Sequence, residues 1–253
     1  MNDDQSFPPP PPDPPEPPAP PSPSRYDYDA PPPRPTTELL PWERRQELGF
    51  APALIETIKL LVTSPQQAFA RAERTGDYAS PILFAVIVGW LGIIVGLVWQ
   101  MLFGSLNFLS MMGNHEGAGT QLALTGGIVV VYAILAPIFI VIGLFIGAGI
   151  LHLCLMLVKG LDSSQTGFEG TLRAVAYSGV AQLAQVVPFL GGIIAAVWVI
   201  VLYILGFVAV HRTTTQKAVI AVLLPVFFCC LCVILMMVLG VGSALVSSGA
   251  LNN

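Results

Sequence analysis

The chain has 253 residues, of which 54% are hydrophobic and 10% are charged, and its mean hydropathy is +0.73. Soluble domains carry about 25% charged residues, so this composition excludes an ordinary soluble domain and indicates a multi-pass membrane protein. The charges are also segregated, because residues 1–80 hold seven of the eleven Lys and Arg and twelve of the fifteen Asp and Glu. The net charge of −4 therefore describes the N-terminal part and gives no indication of nucleic-acid binding.

The N-terminal segment is rich in proline. Sixteen of the 23 prolines lie between Pro8 and Pro35, and no basic segment precedes an apolar core as it would in a signal peptide. Such a segment has no apolar surface to bury, so we expect residues 1–38 to form a disordered cytoplasmic tail with polyproline II character. The tail is either a solvated spacer or a ligand for a proline-binding domain; we favour the spacer, because proline runs carry little specificity.

Residues 39–80, here called the collar, contain two short amphipathic patterns. Between residues 54 and 63 the apolar positions 54, 55, 58, 61 and 62 have helical spacing, and the opposite face carries Glu56, Thr57, Lys59 and Thr63. Ser64 and Pro65 fit the cap and the first position of a second helix, with Ala68, Phe69 and Ala72 on its apolar side. The collar either lies in the membrane interface, with Trp42, Arg44 and Arg45 as candidate anchors, or packs against loops of the protein itself.

Five apolar segments follow the collar, at about 82–103, 128–158, 172–187, 189–210 and 218–246. A spanning helix needs about 20 residues, so the third segment, which is short and the least hydrophobic, is the weakest prediction. With a cytoplasmic N-terminus and five spans, all eleven Lys and Arg lie on one side of the membrane. We therefore predict an all-α fold in which residues 81–248 form five transmembrane helices, with the C-terminus outside.

The sequence GFEGTLR, residues 167–173, places Glu169 and Arg173 four residues apart at the start of the third segment. Thr166 followed by Glu169 matches a capping box, and a negative charge is favourable at a helix N-terminus. Arg173 lies one helical turn further on, where it can pair with Glu169. This pattern predicts a local ion pair, and a docking role is not required to explain it.

Four polar residues follow one another along the third segment. At about 100° per residue they fall within about 60° of one another on a helix. Such a stripe either holds helices together by hydrogen bonds or lines a path for a small polar solute. We favour helix contact, because no charged residue lies deep in any span. The stripe consists of Thr171, Ser178, Gln182 and Gln185.

Glycines spaced four apart occur in the first and second spans. Gly92 and Gly96, and then Gly143 and Gly147, have the spacing that lets helix backbones approach closely. Such glycines are interpreted as helix-packing positions within one chain. The sequence leaves open whether the chain also forms a homo-oligomer.

Titratable groups cluster at the cytoplasmic ends of the spans, in what is here called the cytoplasmic mouth. It contains no motif that joins a nucleophile to a base, no phosphate-binding loop and no metal-ligand spacing. The four cysteines lie in apolar runs and are interpreted as packing residues. We therefore predict no catalytic residue, no metal and no cofactor. The mouth comprises His152, Lys159, Asp162, Glu169, Arg173, His211 and Arg212.

Several segments resemble the Yip-domain family, in its bacterial branch. They are Leu40-Pro41-Trp42-Glu43, Ser64-Pro65 with Phe69, FEGTLRAVAYSG at 168–179, Pro188-Phe189-Leu190-Gly191-Gly192 and HRTTTQKA at 211–218. The resemblance covers roughly residues 40 to 235. It implies a membrane protein with five spans and a cytoplasmic N-terminus. The eukaryotic members are linked to Rab GTPases and vesicle traffic, a role with no counterpart in a bacterial cell, and the family offers no catalytic residues.

From these features we expect an integral membrane adaptor or organiser in the bacterial inner membrane, and not an enzyme. Its partners are membrane lipid and proteins that bind the cytoplasmic N-terminal region and loops, with no nucleic acid. A small-solute transporter or channel that uses the polar stripe is the alternative. A lipid-modifying enzyme that uses the cytoplasmic mouth comes third.

Overall fold

The computed structural model describes residues 39–72, 76–111 and 118–250, and it describes side chains for 39–72, 76–103 and 126–238. These residues are mostly helical and include no strand, which confirms the all-α prediction; the proline-rich tail, residues 1–38, lies outside them. The described residues contain 3₁₀ helices at Pro41–Arg44 and Gly179–Val186. The α-helices are α1 (Arg45–Leu48), α2 (Phe50–Thr63), α3 (Pro65–Arg71), α4 (Ala79–Met111), α5 (Ala118–Leu157), α6 (Gly167–Ser178), α7 (Gly191–His211) and α8 (Thr215–Ala250).

Four of the described helices are long and apolar enough to cross a membrane. The candidate spans are Ala79–Phe103, Gly126–Leu157, Gly191–His211 and Thr215–Val238, within α4, α5, α7 and α8. They correspond to the predicted first, second, fourth and fifth segments. Helices α5 and α8 continue through Pro137 and Pro225, as membrane helices can where other groups satisfy the freed backbone carbonyls.

The third apolar segment differs from the predicted helix 172–187. It begins earlier, at Gly167, and after Ser178 it tightens into the second 3₁₀ helix, which ends at Val186. Every residue from 170 to 178 is buried, because α6 packs against α4, α5 and α7. A helix enclosed by other helices needs no lipid-facing side chains, so the low hydrophobicity that weakened this prediction follows from its central position.

Close backbone approach holds the second 3₁₀ helix against its neighbours. A Cβ atom added at Gly92 of α4 would lie 2.7 Å from the carbonyl oxygen of Gln182, and one at Gly191 would lie 2.5 Å from that of Ala184. The glycine spacing in the first span is thus used for packing. Gly143 and Gly147 have no such neighbour within 4 Å among the described atoms, so this pair makes no close helix contact there.

The collar packs against the spans by a different face from the predicted one. Ala53, Thr57 and Leu61 are the buried residues of α2, whereas Ile55 and Val62 are exposed. The assignment of Thr57 to the polar face was wrong, because its hydroxyl accepts a buried hydrogen bond from the backbone N–H of Trp42, 2.8 Å away. Residues 68, 69 and 72 are buried as predicted. Pro65 opens α3, but the Ser64 side chain makes no capping bond.

We predict that Gly92→Ala destabilises the protein by about 1–3 kcal/mol, because the added methyl group overpacks the contact with Gln182. Gly143→Ala is the matched control, since a Cβ there meets nothing within 4 Å. The measurement is the unfolding midpoint of both purified variants in detergent. Equal midpoints for the two variants and the wild type would contradict the assigned contact.

Candidate functional site

A buried arginine joins the collar to the centre of the bundle. Arg173 lies on α6 with only 1% of its side chain exposed. Its Nη1 donates to Glu43 Oε1, its Nη2 donates to the carbonyl oxygen of Asp77 at 2.8 Å, and Nη2 also lies 3.4 Å from Glu169 Oε1. A guanidinium removed from water requires such partners, because an uncompensated buried charge is strongly unfavourable.

Glu43 supplies the main countercharge from the 3₁₀ helix Pro41–Arg44. Its side chain is 5% exposed, and the same oxygen that accepts from Arg173 also accepts a hydrogen bond from the hydroxyl of Tyr177 at 3.0 Å. Arg173 and Tyr177 stand four residues apart, so they share a face of α6. Two donors from one helix therefore converge on one carboxylate of the collar.

Trp42 positions Glu43. Its indole Nε1 donates to the carbonyl oxygen of Ser80 at 2.7 Å, and its ring packs edge-to-face against Phe84 of α4 with 6.1 Å between ring centroids. The side chain is fully buried. Of the two alternatives for the collar, packing against protein is therefore the one that holds for Trp42.

The two collar arginines differ in what they contact. Arg45 Nη1 donates to Ser80 Oγ at 2.7 Å and to the carbonyl oxygen of Trp42 at 3.2 Å, and its guanidinium lies 5.1 Å from the Trp42 ring centroid. Arg44 forms a 3.0 Å ion pair with Glu47 at the protein surface. Arg45 thus reinforces the Trp42 anchor, and Arg44 is the one of the two that is available at the surface.

Glu169 fixes the segment that leads from the collar into α4. Its Oε1 accepts the backbone N–H groups of Gly76 and Asp77, at 2.7 and 3.2 Å. Thr166 makes no side-chain cap on α6, so the capping-box prediction was wrong: the Glu169 carboxylate reaches across to a neighbouring segment instead of back to its own helix end. The predicted ion pair with Arg173 is confirmed, although Glu43 makes the closer contact.

Asp77 caps the first span. Its Oδ1 accepts the backbone N–H groups of Ala79 and Ser80 at 3.0 and 3.1 Å, the arrangement that suits the positive end of α4. Burial by itself raises the pKa of this carboxyl, but the bonds from Ser80 and Ala79 and the charge of Arg173 outweigh it and hold the pKa below its usual value. Asp77 is therefore ionised at neutral pH.

A second polar chain crosses the bundle beside the first. Ser164 Oγ lies 2.7 Å from His211 Nδ1, His211 Nε2 lies 2.9 Å from Thr171 Oγ1, and Thr171 Oγ1 lies 2.7 Å from His152 Nδ1. Three helices, α5, α6 and α7, and the loop before α6 are linked in this way. The chain satisfies the buried hydroxyl and imidazole groups, as low-dielectric surroundings require.

The structure therefore separates the predicted cytoplasmic mouth into parts. Glu169 and Arg173 belong to the collar network, and His152 and His211 belong to the second chain. The remaining members are exposed in the turns that follow α5 and α7, and they are Lys159, Asp162 and Arg212. Within the described residues, no group of three or more His, Cys, Asp or Glu is placed to hold a metal.

The predicted polar stripe also divides. A 3₁₀ helix advances about 120° per residue, so the change of pitch after Ser178 turns Gln182 and Gln185 about 120° away from Ser178. Ser178 Oγ bonds the carbonyl oxygen of Ala174 in its own helix at 2.8 Å. Gln182 and Gln185 instead lie beside the glycines of α4. The prediction of a single polar face assumed one helical pitch along the whole segment, and the pitch changes after Ser178.

Three residues of the collar network were missed as site residues: Glu43, Asp77 and Tyr177. The sequence contained a signal for Glu43. An arginine inside an apolar run needs a buried carboxylate as its partner. Glu43 directly follows the aromatic anchor Trp42, a position that few acidic residues occupy. Nothing in the sequence indicated that the partner lies 130 residues away.

We predict that Arg173→Met destabilises the protein by about 3–5 kcal/mol, because Glu43 is left buried without its countercharge. Arg44→Gln is the matched control and costs under about 1 kcal/mol, since its ion pair is solvent-exposed. The double variant Glu43→Gln/Arg173→Met loses less than the sum of its single variants. Unfolding in detergent measures all four variants, and an Arg173→Met loss no larger than that of Arg44→Gln contradicts the network.

One family model, described as the Yip1 domain, matches residues 58–237, which is more than half of the chain. Arg173 and both histidines of the second chain lie inside this range, whereas Trp42 and Glu43 precede it. No curated protein and no solved structure matches the chain. With its four long apolar helices and this match, the chain is a multi-pass membrane protein that belongs to the Yip1 domain family.

Proposed function

We propose that the protein is an integral membrane adaptor of the bacterial inner membrane, which binds protein partners through its cytoplasmic collar and loops. The observation that carries the proposal is the attachment of the collar to α6 and α4 by Glu43, Arg173 and Trp42. A collar fixed in this way presents its exposed residues in one defined arrangement, which lowers the ordering cost of binding a partner.

The proposal includes five spans, with the N-terminus in the cytoplasm. Helix α6 has 12 residues and rises about 18 Å at 1.5 Å per residue. The second 3₁₀ helix has 8 residues and rises about 16 Å at 2.0 Å per residue. Their sum, about 34 Å, is comparable with the roughly 30 Å of bilayer hydrocarbon together with the interfacial turn that holds Glu169 and Arg173. The tightened pitch thus supports a full crossing by a segment of modest length, and the one-sided Lys and Arg agree with it.

The transporter alternative loses the continuous polar face on which it depended, because Gln182 and Gln185 turn away from Thr171 and Ser178. The division supports the role of these residues in packing. That the protein is not an enzyme stays a prediction.

We expect single cysteines at Gln165 and Phe189 to label from opposite sides of the membrane, in a background without native cysteines. Both positions are exposed, and they flank the third segment. A membrane-impermeant maleimide added to intact cells labels Phe189→Cys, and it labels Gln165→Cys only after permeabilisation. Gln216→Cys is a second cytoplasmic control. Labelling of Gln165 and Phe189 from the same side contradicts the five-span arrangement.

We expect a photo-cross-linking residue at Gln46, Gln66 or Gln67 of the collar, placed one at a time, to capture one common protein in living cells. All three side chains are exposed. Ile234, exposed on α8, is the matched control for contacts in the plane of the membrane. Charge reversal of Glu47, which lies next to Gln46 in the collar, should then reduce the yield of the cross-linked adduct. Adducts that are absent at the collar, or the same as those from Ile234, contradict the adaptor function.

A further inference from the structure

Helix α2 has three faces, and the described part of the protein covers one of them. At about 100° per residue, the buried residues Ala53, Thr57 and Leu61 centre on one direction. The apolar residues Ile55, Ile58 and Val62 centre about 135° away. The polar residues Glu56, Lys59 and Thr63 occupy the third sector, about 100° beyond the apolar one.

The apolar sector is not covered by the rest of the described protein. Ile55 is 51% exposed and Val62 is 47% exposed, while Ile58 at the edge of the sector is half-buried. Exposing these side chains to water costs about 25 cal/mol of free energy for each Å² of apolar surface. Covering the sector with another apolar phase is therefore favourable.

The position of α2 beside the spans indicates which phase this is. Leu61 belongs to the same hydrophobic cluster as Val88 of α4 and Leu202 of α7, and Leu54 and Ile58 pack against this cluster. Val88 lies nine residues from the start of α4, and Leu202 lies nine residues before the end of α7, so each is about 14 Å along its span. The cluster therefore reaches the depth of the lipid acyl chains, on the side of the membrane where the collar lies.

We propose that α2 lies in the cytoplasmic leaflet at the edge of the bundle, with Ile55 and Val62 in contact with lipid acyl chains and Ile58 at the border between lipid and the protein core. This inference rests on the proposed orientation and deepens the proposed function, because it assigns one collar face to lipid and leaves another for protein partners. Lys59 stands between the apolar and polar sectors, where its chain can extend to a lipid phosphate. Glu56 and Thr63 face the cytoplasm.

In this arrangement α2 lies where protein, lipid and water meet, and each of its three faces contacts one of them. Interfacial helices bury their apolar side by about 5–10 Å at the boundary between headgroups and acyl chains. A helix that lay wholly above the membrane would leave Ile55 and Val62 in water. One that crossed it would place Glu56 and Lys59 in hydrocarbon. Only an orientation along the membrane surface satisfies all three faces.

The test measures the surroundings of single fluorescent labels on the purified full-length protein in vesicles. Cysteines at Ile55 and Val62, and at Glu56 and Thr63 as matched controls on the same helix, carry an environment-sensitive dye in a background without native cysteines. Ile234→Cys on α8 and Gln216→Cys serve as lipid and water references. Equal unfolding midpoints show that each labelled variant is folded.

Lipids brominated in the upper acyl chain should quench the dyes at Ile55 and Val62 as they quench the dye at Ile234. Aqueous iodide should instead quench those at Glu56 and Thr63, as at Gln216. Iodide quenching at Ile55 and Val62 without bromine quenching overturns the proposal. Protection from both quenchers also overturns it, since protein, and neither lipid nor water, then covers the face. The vesicles contain no other protein, so failure here is distinguishable from failure of the adaptor function in cells.

Discussion

Arg173 is the group around which the collar end of the molecule is arranged. A guanidinium that is almost fully buried in a membrane protein needs an anionic partner and several acceptors, and α6 by itself provides only Glu169. The collar provides the rest, with Glu43 near its start and the carbonyl oxygen of Asp77 near its end. Three parts of the chain that are distant in sequence are therefore required to meet at one side chain.

This requirement does not imply that the ion pair adds much net stability. Removing two charges from water costs about as much as their attraction returns, and apolar residues of similar volume would serve as well for stability alone. The pair instead fixes the position of the collar. Because Arg173 and Tyr177 both donate to Glu43, the collar can bind α6 in only one register. The Trp42 bond to Ser80 then fixes the same segment to the start of the first span.

Close packing complements this polar network along the second half of the third segment. The second 3₁₀ helix contacts α4 at Gly92 and the start of α7 at Gly191, at distances that exclude any side chain on those two residues. Lipid tails are as apolar as the helices themselves, so the association of membrane helices depends on such close contacts and on hydrogen bonds such as those between Thr171 and the two histidines. The third segment is consequently the hub of the bundle.

The sequence by itself determined the class of protein, the approximate positions of the four long helices and the family, because apolar segments of spanning length have few alternative structures in a membrane. It also indicated the Glu169–Arg173 pair and the use of Gly92, which follow from spacing along a single helix. Only the tertiary structure decided that Arg173 pairs with Glu43, that Thr57 is buried and that the polar stripe divides after Ser178. Contacts between distant segments and a change of helical pitch depend on which surfaces pack together. Periodicity along one segment contains no information about its partner.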